Sequence, residues 1–258
     1  TYLRPQDMAL VLAPTFGEYD MACCLAGVRP AVIRAREEDS FRWDVAKVCQ
    51  EIRRLRPRLV FLCNPNNPTG LYLDKKAVQQ IAAATAPGIL AIDEAYVPFV
   101  KDAWDATSLL EHGNVVGLRS MTKDHALAGL RLGYALAPVE MIGALRLYQP
   151  SWSVNAAAQA AGLAALADRR HVSRARKVVA EAKAYLYGAL REMGLEALPA
   201  SANFLLLKVG DAKMVRAALL RRGLCVRDCT SFGLPQHIRV AVRTLPECRK
   251  LAKGLKEV

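Results

Sequence analysis

Val115-Val116-Gly117-Leu118-Arg119-Ser120-Met121-Thr122-Lys123-Asp124-His125-Ala126-Leu127-Ala128-Gly129-Leu130-Arg131 sets a short apolar run against a polar segment that carries one lysine. Lys123 follows two hydroxyls, Ser120 and Thr122, and stands eight positions before Arg131. An amine is thus grouped with side chains suited to a phosphate. The apolar residues read as a buried strand, and the polar ones lie beyond its end, where open α/β sheets bind their ligands. Alone, such a lysine is usually a solvated charge, and only the neighbouring segments give it another meaning.

Moving outward, short apolar runs alternate with helical patterns six times in the first 140 residues. Met8 to Ala13, Ala31 to Ala35, Arg58 to Cys63, Ile89 to Asp93, Val115 to Leu118 and Gly133 to Ala137 read as strands. Between them, Asp44 and Asp74 cap helices that end near Pro57 and Gly88, and Thr15 with Glu18 forms a capping box for Tyr19 to Leu25. That order predicts an α/β fold with a mainly parallel sheet and helices on both faces. From Asn155 two long helical stretches follow, Ala156 to Asp168 and Arg170 to Met193. The remainder reads as βαββα, a small C-terminal α+β domain. The boundary is expected near residue 175, giving a large domain over 1–175 and a small one over 176–258.

Composition limits the function classes. The chain has 258 residues and a net charge of +12, but its arginines are spread over three predicted helices without interleaved aromatics. That favours a solvated basic surface or anionic metabolites over nucleic acid. No apolar run approaches the roughly 18 residues of a membrane span, and residues 1 to 20 do not follow the order of a signal peptide. No membrane partner and a cytoplasmic location are therefore expected. Seven cysteines without a C-x-x-C pair suggest neither disulfides nor a metal site, and are expected to be buried thiols.

Four strand ends carry polar residues that packing does not require. Phe61 to Gly70 holds three asparagines and two prolines, and Ala91-Ile92-Asp93-Glu94-Ala95-Tyr96 puts a carboxylate at the end of an apolar strand. With Lys123 they match the needs of pyridoxal phosphate. Asp93 would keep the ring nitrogen protonated, Asn67 and Tyr96 would bond the phenolate oxygen, and Phe16 would stack on the ring. Ser120, Thr122 and Arg131 would take the phosphate.

On Pro14 to Tyr19, Asn64 to Gly70, Asp93 to Tyr96, Ser120 to Arg131, Trp152 to Asn155, Ala202 to Leu205 and Ile238 to Arg243, the chain resembles the fold-type I pyridoxal-phosphate enzymes of the class I/II aminotransferase superfamily. Within it the chain is similar to histidinol-phosphate aminotransferases and to the threonine-phosphate decarboxylases of cobalamin synthesis. The resemblance implies that Lys123 is the Schiff-base lysine and then the proton shuttle, with Asp93 and Tyr96 as its catalytic partners. It implies that Arg239 binds the substrate carboxylate, and that Asn155 and Asn203 line the site or serve as structural hydrogen-bonders. It also implies a homodimer acting on a small anionic amino acid.

Two departures leave alternatives open. The N-terminal portion usual in the family, with its phosphate-binding turn, is not in this sequence. A fragment, an enzyme completed elsewhere and a non-catalytic protein of the same fold all fit that. Asp124-His125 stand where many relatives have small or aromatic residues, and Arg119 to Lys123, Trp152 to Ala156 and Arg227 to Cys229 with Arg239 to Arg243 look closer to the decarboxylase branch, so transamination and decarboxylation both stand.

Overall fold

The computed structural model describes residues 1–258. Its larger sheet has six strands, β1 (Ala9–Ala13), β2 (Ala31–Arg34), β3 (Leu59–Cys63), β4 (Ile89–Asp93), β5 (Val115–Ser120) and β6 (Gly133–Leu136), in the order β2-β1-β3-β4-β5-β6. The first five strands run parallel and β6 closes the edge antiparallel to β5. A parallel strand covered on both faces must be apolar along its length. Accordingly all five residues of β1 are buried.

The helices α1 (Glu18–Leu25), α2 (Val45–Leu55) and α3 (Lys75–Thr85) connect the early strands. Asp44 and Asp74 accept from backbone N–H groups at the starts of α2 and α3, as expected of N-caps. Val48 and Ile52 of α2 and Val78 and Ile81 of α3 pack on Leu10, Leu12, Val60, Leu62, Leu90 and Ile92. Each such buried side chain contributes about 1.5–3 kcal/mol, which makes this layer a rigid base for the strand ends.

The middle of the chain is more open. Helix α4 (Met121–Asp124) is one turn, α5 spans Val139–Arg146 and α6 spans Ala156–Ala167. α7 (His171–Glu192) then leads to the second unit, made of β7 (Phe204–Lys208), α8 (Ala212–Arg221), β8 (Arg227–Asp228), β9 (His237–Ala241) and α9 (Leu245–Lys256). Its sheet is antiparallel, in the order β7-β9-β8. Alternation decides its two faces. Leu205, Leu207, Ile238 and Val240 join Ala182, Leu186 and Leu190 of α7 in one core. Leu206, between them, points the other way and meets Ala35 and Phe41 of the large unit. Arg239 is the partner of Leu206 in register, and Arg227 the partner of Arg239, so both arginines share the face turned toward the large sheet.

Two local expectations change, and one helix was not anticipated. The Thr15–Glu18 capping box does not form: Gly17 is the N-cap of α1, without a side-chain bond, and the Thr15 hydroxyl is buried without a partner. α5 begins after Pro138 with no side-chain cap to announce it. The second strand of the expected βαββα unit, read in the sequence as Leu224 to Arg227, is only the two-residue β8. Of the cysteines, Cys24 and Cys225 are exposed and the other five buried. No helix is long and apolar enough to cross a membrane.

Candidate active site

A cavity of about 860 Å³ opens beyond the carboxyl ends of β3, β4 and β5 and is closed from the other side by β8 and β9. Its walls bring together Phe16, Asn67, Asp93, Tyr96, Ser120, Thr122, Lys123, Arg131 and Arg239. These nine residues come from five separate stretches of chain. A recess of about 470 Å³ shares Tyr96, Lys123, Arg227 and Arg239 with it and adds Asn203 and Arg216.

Asp93 ends β4, and its carboxylate is held from two sides. Oδ1 accepts from the Ala95 N–H at 2.9 Å, and Oδ2 accepts from the Tyr19 hydroxyl at 2.6 Å. Tyr19 is itself fixed, buried, stacked on Phe61 and edge-on to Phe16. Burial pushes its phenol well above the ordinary tyrosine value, and nearby Cys63 and Asp93 push the same way. Tyr19 therefore stays a donor, and Asp93 receives a neutral hydrogen bond. Beneath them the Cys63 thiol is pushed up to about 12 by burial, so it is an inert wall and not a nucleophile.

The Asn64–Gly70 turn is more than a plain turn. Asn64 exchanges hydrogen bonds with the backbone of Leu73, and Asn66 donates to Pro14 O and to Thr69 Oγ1. Gly70 has φ +73°, and a Cβ there would lie 2.5 Å from the Ala200 Cβ, while its carbonyl accepts from Ser201 N at 2.7 Å. Two asparagines thus lock the turn and leave the third, Asn67, to accept from Arg239 Nη1. The Arg239 guanidinium also lies 5.0 Å from the Phe204 ring centre, and Tyr96 meets the same ring edge-on. Burial raises the Tyr96 phenol and the Arg239 charge opposes that rise.

Beyond β5, Lys123 Nζ donates to Thr122 Oγ1 at 2.9 Å, and the Thr122 and Ser120 hydroxyls are 2.7 Å apart. The lysine is exposed to the cavity yet its amine is shifted below the ordinary lysine value. Desolvation is the main cause, Arg131 and Arg239 add to it, and Asp93 works against it. Arg131, in a left-handed backbone conformation, donates to Ala128 O at 3.0 Å while bordering the cavity. Phe16, 40% exposed, offers its ring to the same space.

Asn155 and Asn203 fare differently. Asn155 is the N-cap of α6, accepting from Ala158 N at 2.8 Å and donating to Leu130 O, and it lies outside both cavity walls. Asn203 borders the recess. Sequence reasoning gave no site role to Tyr19, Arg216 or Arg227. For Tyr19 the available signal was its place three residues after Phe16, on the first turn beyond a strand end; for Arg227 it was its register opposite Arg239.

Comparison with known proteins adds to this geometry. The family described as aminotransferase class I and II matches residues 1–255. A histidinol-phosphate aminotransferase of Symbiobacterium thermophilum is 38% identical over 99% of the chain and 70% of its own length. Among solved structures, a decarboxylase from Sulfurospirillum multivorans superposes with a TM-score of 0.87 at 28% identity, covering 99% of this chain and 77% of that one. The histidinol-phosphate aminotransferase of Sinorhizobium meliloti, solved with pyridoxal-5'-phosphate, gives a TM-score of 0.90 at 24% identity over 99% and 71% of the two chains, a likeness of fold.

Proposed function

We propose that this chain acts on an amino acid carrying a phosphate group, from the premise that it belongs to the class I and II aminotransferase family and is a pyridoxal 5'-phosphate-dependent aminotransferase. The observation that carries the proposal is one cavity in which the Lys123 amine and the fixed Asp93 carboxylate face Arg227 and Arg239. The donor set fits the cofactor. Its ring nitrogen would meet Asp93, its ring Phe16, its phenolate oxygen Asn67 and Tyr96, and its phosphate Ser120, Thr122 and Arg131. When bound, the cofactor supplies an electron sink for the bond broken at the substrate's Cα.

The chain's own residues do the rest. Lys123, with an amine shifted toward its neutral form, takes and returns the proton at Cα. Asp93 holds negative charge where a protonated ring nitrogen needs it, and Tyr19 keeps that carboxylate oriented. Arg239 exchanges Asn67 for the substrate carboxylate, a planar fork meeting a planar acid. Arg227 donates to Ser231 Oγ at 2.8 Å and, with Arg216, leaves cationic groups at the recess for a substrate phosphate. Asn203 borders that position.

We infer a homodimer as the working form. Val139, Leu147, Tyr148, Trp152, Leu163 and Leu166 are large apolar residues exposed on α5, α6 and the segment between them, a surface that a second copy would cover. The division between the two units is placed within α7 near residue 175, supported by the entry of Ala182, Leu186 and Leu190 into the second core. The cytoplasm is the proposed place of action.

Borohydride reduction of the cofactor-loaded protein, followed by peptide mapping, should place the label on Lys123; label elsewhere or none overturns the assignment. Turnover of histidinol phosphate with 2-oxoglutarate supports the proposed substrate class. Release of carbon dioxide from threonine phosphate without amino transfer would replace it by the decarboxylase.

A further inference from the structure

Two charged residues stand at the strand ends without a role in holding cofactor or substrate, Arg119 in the cavity wall and Glu94 behind it. Glu94 follows Asp93 directly and is only 3% exposed. Arg119 precedes Ser120 and stands four residues before Lys123. Arg119 Nε donates to Glu94 Oε2 at 3.0 Å. The strands are parallel neighbours: Asp93 pairs with Leu118, and Glu94 N donates to Leu118 O at 2.8 Å. The ion pair therefore closes at the point where β4 and β5 end and their site residues diverge.

The surroundings are shaped for it. A Cβ at Gly117 would lie 3.2 Å from Glu94 Oε2, so the residue opposite has to be small. Asp105 Oδ1 lies 3.8 Å from Arg119 Nη2 on the open side, and Tyr134 faces Arg119 across the β5–β6 pair. The Tyr72 hydroxyl is buried without a partner, pushed up to about 12 by burial, with Glu94 also raising it and Arg119 lowering it. Burial raises the Glu94 carboxyl and Arg119 opposes the rise. A carboxylate this deep is stable only when a cation reaches it. Here the cation comes from β5, the strand that leads directly into the one-turn helix carrying the lysine.

We propose that Glu94 and Arg119 are a positioning pair that, by clamping the ends of β4 and β5, sets the separation of the Asp93 carboxylate and the Lys123 amine. Neither touches the reacting atoms in this role. The proposal rests on Lys123 as the reactive amine, and its test is independent of the cofactor.

In the cofactor-free full chain, trace acetylation with acetic anhydride across a pH series, read at Lys123 by peptide mass, reports the midpoint of its amine. A purely through-space charge effect moves the two neutral variants in opposite directions: Glu94→Gln downward and Arg119→Gln upward. Positioning moves both upward: loosening the strand ends returns water to an amine that burial disfavours as a cation, and that gain, the largest influence on the amine, outweighs the weakened pull of a more distant Asp93. A shift on the order of half to one pH unit is expected. Glu94→Asp, which keeps the charge and shortens the reach by one methylene, should also move upward. This variant decides the matter if a neutral one does not fold. Shifts of opposite sign, an unmoved midpoint in Glu94→Asp, or lower melting temperatures with the Lys123 midpoint unchanged would each overturn the proposal. If borohydride leaves Lys123 unlabelled while these shifts appear, the functional assignment fails and the clamp stands.

Discussion

At the β4 end of the cavity, Asp93 is held by Tyr19, a residue 74 positions earlier in the chain. Nearby Asn67 is held by Arg239, 172 positions later. At the β5 end, Ser120, Thr122 and Lys123 bond to one another, and Arg131 bonds to a carbonyl three residues away. At the first end Asp93 is fixed by a distant part of the fold before any ligand arrives, and only the Arg239–Asn67 bond is given up to substrate. The other end satisfies its polar groups locally, with bonds that a phosphate can replace. Groups that act on developing charge gain most from being fixed in advance, whereas a binding cup needs donors that are easily redirected.

That contrast can be broken by experiment. Asp93→Asn should lower kcat by roughly 10²–10³-fold, the scale seen when a fixed electrostatic partner is removed, with little change in cofactor affinity. Arg131→Gln should do the reverse. Loss of a hydrogen bond to a charged group, about 1.5–3 kcal/mol, would weaken cofactor binding by roughly 10- to 100-fold while kcat at saturating cofactor stays near that of the parent. If both variants change kcat and affinity alike, the two ends do not divide the work. Tyr19→Phe removes one neutral hydrogen bond, worth about 0.5–1.5 kcal/mol, so kcat should fall by roughly 2- to 10-fold.

The smallest effect concerns pH. In the cofactor-free chain Lys123 should acetylate with a midpoint below that of the surface lysines, since desolvation and then Arg131 and Arg239 disfavour its charged form. Arg131→Gln removes one of these influences and should move the midpoint upward, toward the ordinary lysine value of about 10.4. A downward or absent shift would mean that Arg131 does not act on the amine.

Much of the β5 end was legible because it lies within twelve consecutive residues, Ser120 to Arg131. The same holds for Asp93 and Tyr96, and the strand periodicity predicted the large sheet. Contacts between distant segments carry no local signature. Tyr19 looked like a helix residue until α1 set its hydroxyl against Asp93, and Arg227 gained meaning only from its register with Arg239. The capping box at Thr15 failed because the hydroxyl is enclosed beneath the chain before α1 begins. Asn155 matched a motif, but its amide spans the start of α6 and the Leu130 carbonyl.

Trp152 has an optical consequence. Of the three tryptophans, Trp43 and Trp104 are partly buried and donate through Nε1 to Ala13 O and Leu73 O, while Trp152 is 96% exposed. Intrinsic fluorescence therefore has one quencher-accessible source, on the α5–α6 surface, and two shielded ones. Acrylamide quenching as a function of protein concentration would follow the covering of that surface without any added label, and a blue shift of the exposed component would mark the point at which two copies meet.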